Sequence, residues 1–150
     1  MPGQRTSEAR RWFQQATYDL KAASWNIEGR FFNTACFLAQ QAAEKALKSL
    51  LYYQGSRRAA LLTHSLVEMA REMGTHVPAV TGLVEEARTL DLHYVPSRYP
   101  NGLPSGYPHQ FYGKETAEQA LRAAEAIMAA VAGHYRDRGE QEILAENTEQ

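Results

Sequence analysis

Cysteine is nearly absent: Cys36 stands alone among 150 residues, so no internal disulfide can form and no cysteine-based zinc site is possible. A reducing, intracellular setting follows, and the chain is read as cytoplasmic. No run of eighteen apolar residues occurs, and the opening Met-Pro-Gly-Gln-Arg-Thr-Ser-Glu has no apolar stretch behind its charge. Neither a membrane span nor a signal peptide is therefore expected. The apolar-polar alternation of a strand is missing, as are internal repeats and low-complexity tracts. A His-Glu-x-x-His run, a glycine-rich phosphate loop and a nucleophile elbow are also lacking, which argues against metallohydrolases, P-loop enzymes and α/β-hydrolases. Net charge is −1, too small for broad electrostatic capture of nucleic acid.

What the chain has is helical periodicity. Ser7 is a candidate cap for a first helix with Trp12, Ala16, Leu20, Ala23 and Ile27 on one face, and Gly29 is a natural stop. A second helix is expected over 31–53, before Gly55, with Ala35, Leu38, Ala39, Ala42, Ala46 and Leu50 in a stripe widened by Ala43, Leu47 and Leu51. So wide a stripe marks a central helix, and truncating Leu47 to alanine should cost about 2–5 kcal/mol. Thr63 or Ser65 would cap a short third helix, Pro78 would open a fourth that ends near Pro96, and a long fifth would start around Thr116. The expectation is an all-α, up-and-down bundle of about five helices with a four-helix core. Residues 1–6 would form an N-terminal tail, 7–136 the bundle and 137–150 a polar, acidic C-terminal tail.

Residues 94–112 interrupt this pattern. Pro96, Pro100, Pro104 and Pro108 disfavour helix and stiffen the segment, while Tyr94, Tyr99, Tyr107, Phe111 and Tyr112 supply rings for docking. An ordered, functional loop is expected. Charge is also uneven: from Arg5 to Arg58 nine Lys or Arg face four acids, and from Lys114 onward eight acids face four Lys or Arg. The basic side would suit a phosphate-bearing ligand, and the same pattern would equally serve packing and solubility.

The run Ala39-Gln40-Gln41-Ala42-Ala43-Glu44-Lys45-Ala46-Leu47-Lys48 resembles the second helix of HEPN domains, the nucleotide-binding family of higher eukaryotes and prokaryotes. The first helix with its Gln15-Ala16 and Asp19-Leu20 pairs, His64-Ser65-Leu66, and Ser97-Arg98-Tyr99-Pro100-Asn101 resemble further family segments in the same order. The resemblance implies a five-helix homodimeric bundle that binds a nucleotide or RNA. It also implies a possible protein partner, a minimal nucleotidyltransferase, in a toxin and antitoxin pair. Some members are metal-independent ribonucleases with four to six residues between an arginine and a following histidine, so neither a cofactor nor a metal is expected.

Several arginine and histidine pairs have that spacing: Arg57 or Arg58 with His64, Arg71 with His76, and Arg88 with His93. Position favours Arg88 and His93, just ahead of the loop, as the catalytic candidates. The histidine would take a ribose 2′-hydroxyl proton and the arginine would stabilise phosphate charge. On one regular helix they would point roughly 140° apart, so convergence requires the helix to end between them or a second subunit to complete the site. Lys45, Lys48, Arg98, Tyr99 and His109 are the candidate nucleotide- or RNA-binding residues. Arg98 would either present its planar fork to a phosphate or pair with Glu44 or Asp91 to pin the loop. Lys48 would line the groove or serve as the partner of Glu44 one turn away. His64 is read as a helix-start residue bonded to backbone, and Trp12 and Trp25 as core or dimer seam. The competing function is a non-catalytic dimeric interaction module.

Overall fold

The structure, a computed structural model, describes residues 3–146, apart from the side chain of Leu61. It is an all-α bundle. Among the described residues there are nine α-helices rather than about five: α1 (Gln4–Glu28), α2 (Phe32–Tyr53), α3 (Arg57–Leu62), α4 (Leu66–Met73), α5 (Pro78–Thr81), α6 (Val84–Asp91), α7 (Pro108–Phe111), α8 (Lys114–Asp137) and α9 (Gln141–Leu144). The five expected helices correspond to α1, α2, α4, the α5–α6 pair and α8. The expected fourth helix breaks at Gly82 and Leu83 and ends at Asp91. Helix α3 lies between the expected second and third helices, where none was expected. The loop holds both a 3₁₀ turn (Pro100–Gly102) and α7, because Pro100 and Pro108 each stand at a first helical position, where a missing N–H costs nothing.

Helix α2 is the hub, with fifteen of its residues buried. Helix α1 runs antiparallel to it: Trp12 stacks on Tyr52 at 5.5 Å, and Lys45 Nζ meets Asp19 Oδ2 at 2.5 Å. Helix α8 runs parallel to α2. His109, just before α8, lies 6.4 Å from Phe31 at the start of α2, and near their far ends Tyr135 Oη shares a 2.8 Å hydrogen bond with Ser49 Oγ. Between them the chain returns from the end of α2 toward its start through α3–α7.

All three long helices end alike. After α1, α2 and α8 the chain turns at Arg30 (φ 65°), Gly55 (φ 83°) and Gly139 (φ 72°), and the following N–H reaches back to Asn26, Leu51 and Tyr135. This paired-bond stop normally takes glycine at the left-handed position. In α1 it falls one residue past Gly29, on Arg30.

The termini differ from the expected tails. Helix α1 starts at Gln4 with Gly3 as N-cap, not at Ser7. Within 137–150, α9 docks on α1: Ile143 is fully buried, and Arg10 donates to the carbonyls of Glu142 (2.8 Å) and Ala145 (3.2 Å). Residues 1–2 and 147–150 of those segments lie outside the described residues. No helix among the described residues is long and apolar enough to cross a membrane.

Candidate functional site

The loop is anchored at each end of its first turn. Asp91 closes α6 and caps α4, accepting from the N–H groups of Leu66 (2.8 Å) and Val67 (3.1 Å) and from Ser65 Oγ (3.2 Å). Ser65 itself accepts from the N–H of Glu68 at 3.2 Å, so of the two expected caps it is the one in use. Ser97 is buried, donates to the carbonyl of His93, and accepts at its own carbonyl from Asn33 of α2 (3.1 Å). Gly102 is required by close approach, because a Cβ there would lie 3.0 Å from the Cα of Pro96. The segment is thus folded against α2.

Arg98 sits at the centre of this face. Its Nε and Nη2 both donate to the carbonyl of Tyr94, at 2.9 and 2.7 Å. Its guanidinium lies over the rings of Phe37 (4.2 Å), Tyr94 (4.8 Å) and Tyr99 (4.9 Å), contacts in which the positive charge meets the negative ring faces. Neither Glu44 nor Asp91 pairs with it, which corrects the alternative drawn from sequence. Asp91 is engaged as the α4 cap, and Glu44 is taken up elsewhere. Tyr99 is 51% exposed.

Glu44 is buried in α2 and receives three partners: Lys48 Nζ at 3.2 Å, His64 Nδ1 at 3.2 Å and Gln40 Nε2 at 3.1 Å. His64 is exposed and stacks on Tyr94 at 5.1 Å, 19° from parallel. It is held by a carboxylate and a ring, not by backbone as its place before a helix suggested. Lys48 has only 7% of its side chain exposed and lies 5.6 Å from the Trp12 ring, so it is buried rather than groove-lining. Lys45 belongs to the α1 side, pairing with Asp19 and donating to Gln41 Oε1 at 3.1 Å.

The two catalytic candidates occupy different settings. Arg88 is exposed and paired with Glu85. His93 follows the end of α6 and is buried, its Nδ1 sharing a 3.0 Å hydrogen bond with Tyr112 Oη. Burial lowers the His93 pKa from its ordinary value and pushes the Tyr112 phenol up to about 12, so at neutral pH both are uncharged. The Cys36 thiol, also buried, is pushed up to about 12 and stays protonated. His109 is exposed, beside Phe31. Trp12 joins the α1–α2 seam, whereas Trp25 is 73% exposed and outside the core. Among the described residues no group of three His, Cys, Asp or Glu is placed to hold a metal ion.

A family model for the HEPN domain matches residues 9–135 of this sequence. The chain belongs to the HEPN domain family. Among solved structures, TT1696 from Thermus thermophilus is 36% identical with a TM-score of 0.78, the match covering 84% of this chain and 97% of that one. ST0689, an archaeal HEPN homologue, is 31% identical with a TM-score of 0.67, covering 85% and 97%. A search of curated proteins found no match.

Within this HEPN domain the four sequence segments that carried the resemblance lie on α1, on α2, at the start of α4 and in the loop running into the 3₁₀ turn. Three of them converge on the Glu44, His64 and Arg98 face. Sequence inspection singled out Arg98 and Tyr99 but missed Phe37, Asn33 and the Glu44–His64 pair. Phe37 lies outside the expected apolar stripe, and the sequence offers Glu44 only as a partner for Lys48 or Arg98. Only the docking of the loop tells them apart from their neighbours.

Proposed function

We propose that this HEPN domain binds a nucleotide or single-stranded RNA on the face where residues 94–112 cross α2, with Arg98, Tyr99 and His109 as loop contacts. The supporting observation is the ring and guanidinium cluster of Arg98 with Phe37, Tyr94 and half-exposed Tyr99. Rings offer stacking surfaces to any base, and a guanidinium beside them serves a phosphate or a second stacking plane. Arg98 Nη1 makes no hydrogen bond among the described residues, so a donor remains for a ligand. His64 extends the same row of rings. The test is fluorescence titration of wild type and Arg98→Ala with nucleoside monophosphates and a short single-stranded RNA. A drop of about tenfold in affinity is expected for the variant, and equal affinity would leave the loop cluster purely structural.

The finer reading adds metal-independent cleavage by Arg88 and His93. The contacts support binding more than cleavage at that pair, since Arg88 is tied to Glu85 and the Nδ1 of His93 is tied to Tyr112. For cleavage, neutral His93 would act through Nε2 as base. Incubation with RNA in EDTA, comparing wild type with His93→Ala, tests this, and unchanged cleavage in the variant removes His93 from the chemistry. A homodimer and a minimal nucleotidyltransferase partner complete the proposal. Exposed Leu62, Leu92 and Val95 supply apolar surface for a protein contact, and light scattering of the chain alone and with such a partner measures both.

A further inference from the structure

At the opposite end of α2 from the loop, the first turns of α1, the end of α2 and the start of α3 line a solvent-open cavity of about 350 Å³. Its walls include Arg5, Arg11 and Arg57 against a single carboxylate, Glu8, with Tyr52 and Gly55 completing them. Arg11 already occupies Glu8, at 2.8 Å. Arg5 and Arg57 make no ion pair among the described residues. Arg5, Arg11 and Arg57 are all exposed, so their charges face a solvent-open pocket in which Glu8 is the one lining carboxylate to compete with an incoming anion.

The cavity is built rather than incidental. Tyr52 is buried and fixed by its stack on Trp12. Gly55 takes the left-handed conformation, and a Cβ there would fall 2.6 Å from Arg5 Cζ. The α2 stop therefore provides a flat backbone seat on which the Arg5 guanidinium lies. The first turn of α1 carries no acidic residue and its N-cap offers no side-chain bond, which adds further positive potential next to Arg5. Arg138 and Arg10 border the adjoining grooves.

We propose that this cavity binds phosphate groups, with Arg5 and Arg57 as the principal ligands and Arg11 as a third cation released from or shared with Glu8. Guanidinium groups hold phosphate oxygens through paired N–H donors. The cavity volume falls in the small-ligand range and accommodates a di- or triphosphate. The site shares no residue with the loop face, so it stands or falls independently of the reading given above.

The experiment is isothermal titration of the full chain with inorganic pyrophosphate at low salt. Saturable binding is expected, weakened about tenfold or more in Arg5→Ala and in Arg57→Ala, with melting curves confirming that each variant is folded. Gly55→Ala should weaken it too, since the added methyl displaces the guanidinium without removing a charge; should that variant fail to fold, Arg5→Ala and Arg57→Ala carry the test. Absence of binding at millimolar pyrophosphate, or equal affinity in Arg5→Ala and Arg57→Ala, overturns the proposal. Competition by 5′-phosphorylated and 5′-hydroxyl RNA of one sequence identifies the source. Displacement only by the phosphorylated strand assigns a terminal phosphate, equal displacement assigns the RNA backbone, and displacement by neither assigns free polyphosphate, each outcome retaining the cavity as a phosphate site.

Discussion

Two arginine-bearing regions stand at opposite ends of α2, and they hold their cations in different ways. Near its start, Arg98 is clamped by a carbonyl four residues behind it and by three rings. Near its end, Arg5 lies on a bare glycine backbone and faces a cavity, with no anion of its own. The clamped guanidinium is pre-organised and contributes to loop rigidity, so its removal should affect the fold and, under the proposed function, binding as well. Arg5 is held by one contact and acts through charge, so its removal should be silent in stability. Lying beside the same helix thus does not make two arginines equivalent.

The comparison can be broken most forcefully at Glu44. Replacing it with alanine leaves Lys48 charged and buried and frees His64 from its anchor, and a loss of about 3–5 kcal/mol is expected in urea unfolding. A loss near zero would mean that the loop end is not held by that carboxylate. Next comes Arg98→Ala, which removes two hydrogen bonds and the ring contacts and should lower stability by about 1–3 kcal/mol, whereas Arg5→Ala should change it by less than about 0.5 kcal/mol. Equal losses in the two variants would erase the contrast.

A smaller effect concerns pH. His93 is buried with a lowered pKa, so the unfolded state binds more protons than the folded state between the two pKa values. Stability should be full above the unfolded value of about 6.5 and should fall as pH drops from there to the folded value. His134 is shifted in the same direction. The gap between wild type and His93→Asn in unfolding at pH 7.5 and 5.5 therefore isolates His93, and wild type should lose more. The smallest change is at the α1 stop. Arg30→Gly relieves a left-handed non-glycine residue and should stabilise by less than about 1 kcal/mol, the relief being partly offset by glycine's greater freedom when unfolded. A destabilised Arg30→Gly would show that the Arg30 contact over Phe32, at 5.5 Å, outweighs the backbone cost.

Much of the fold was legible because it is written in local periodicity. Of the α2 stripe, Ala35, Ala39, Ala42, Ala43, Ala46, Leu47, Leu50 and Leu51 are buried and Leu38 is half-buried, and Pro78 opens a helix where its fixed φ suits one. Less legible was helix number: Gly82 splits α5 from α6, and proline starts a turn within the loop as readily as it stops one. At the candidate site, Arg98 and Tyr99 stood out by their setting between prolines. Glu44 did not, because its pairing with His64 spans twenty residues and depends on where α4 docks.

The sequence by itself determined an all-helical chain, its central alanine-rich helix and a stiff aromatic segment, because apolar spacing and proline stereochemistry act over a few residues. Only the tertiary structure decided that α8 runs parallel to α2, that Ile143 is drawn back under Gln14 and Arg10, and that Arg5 meets Gly55. Those contacts join residues fifty or more positions apart, and their energy exists only once the packed helices have brought them together.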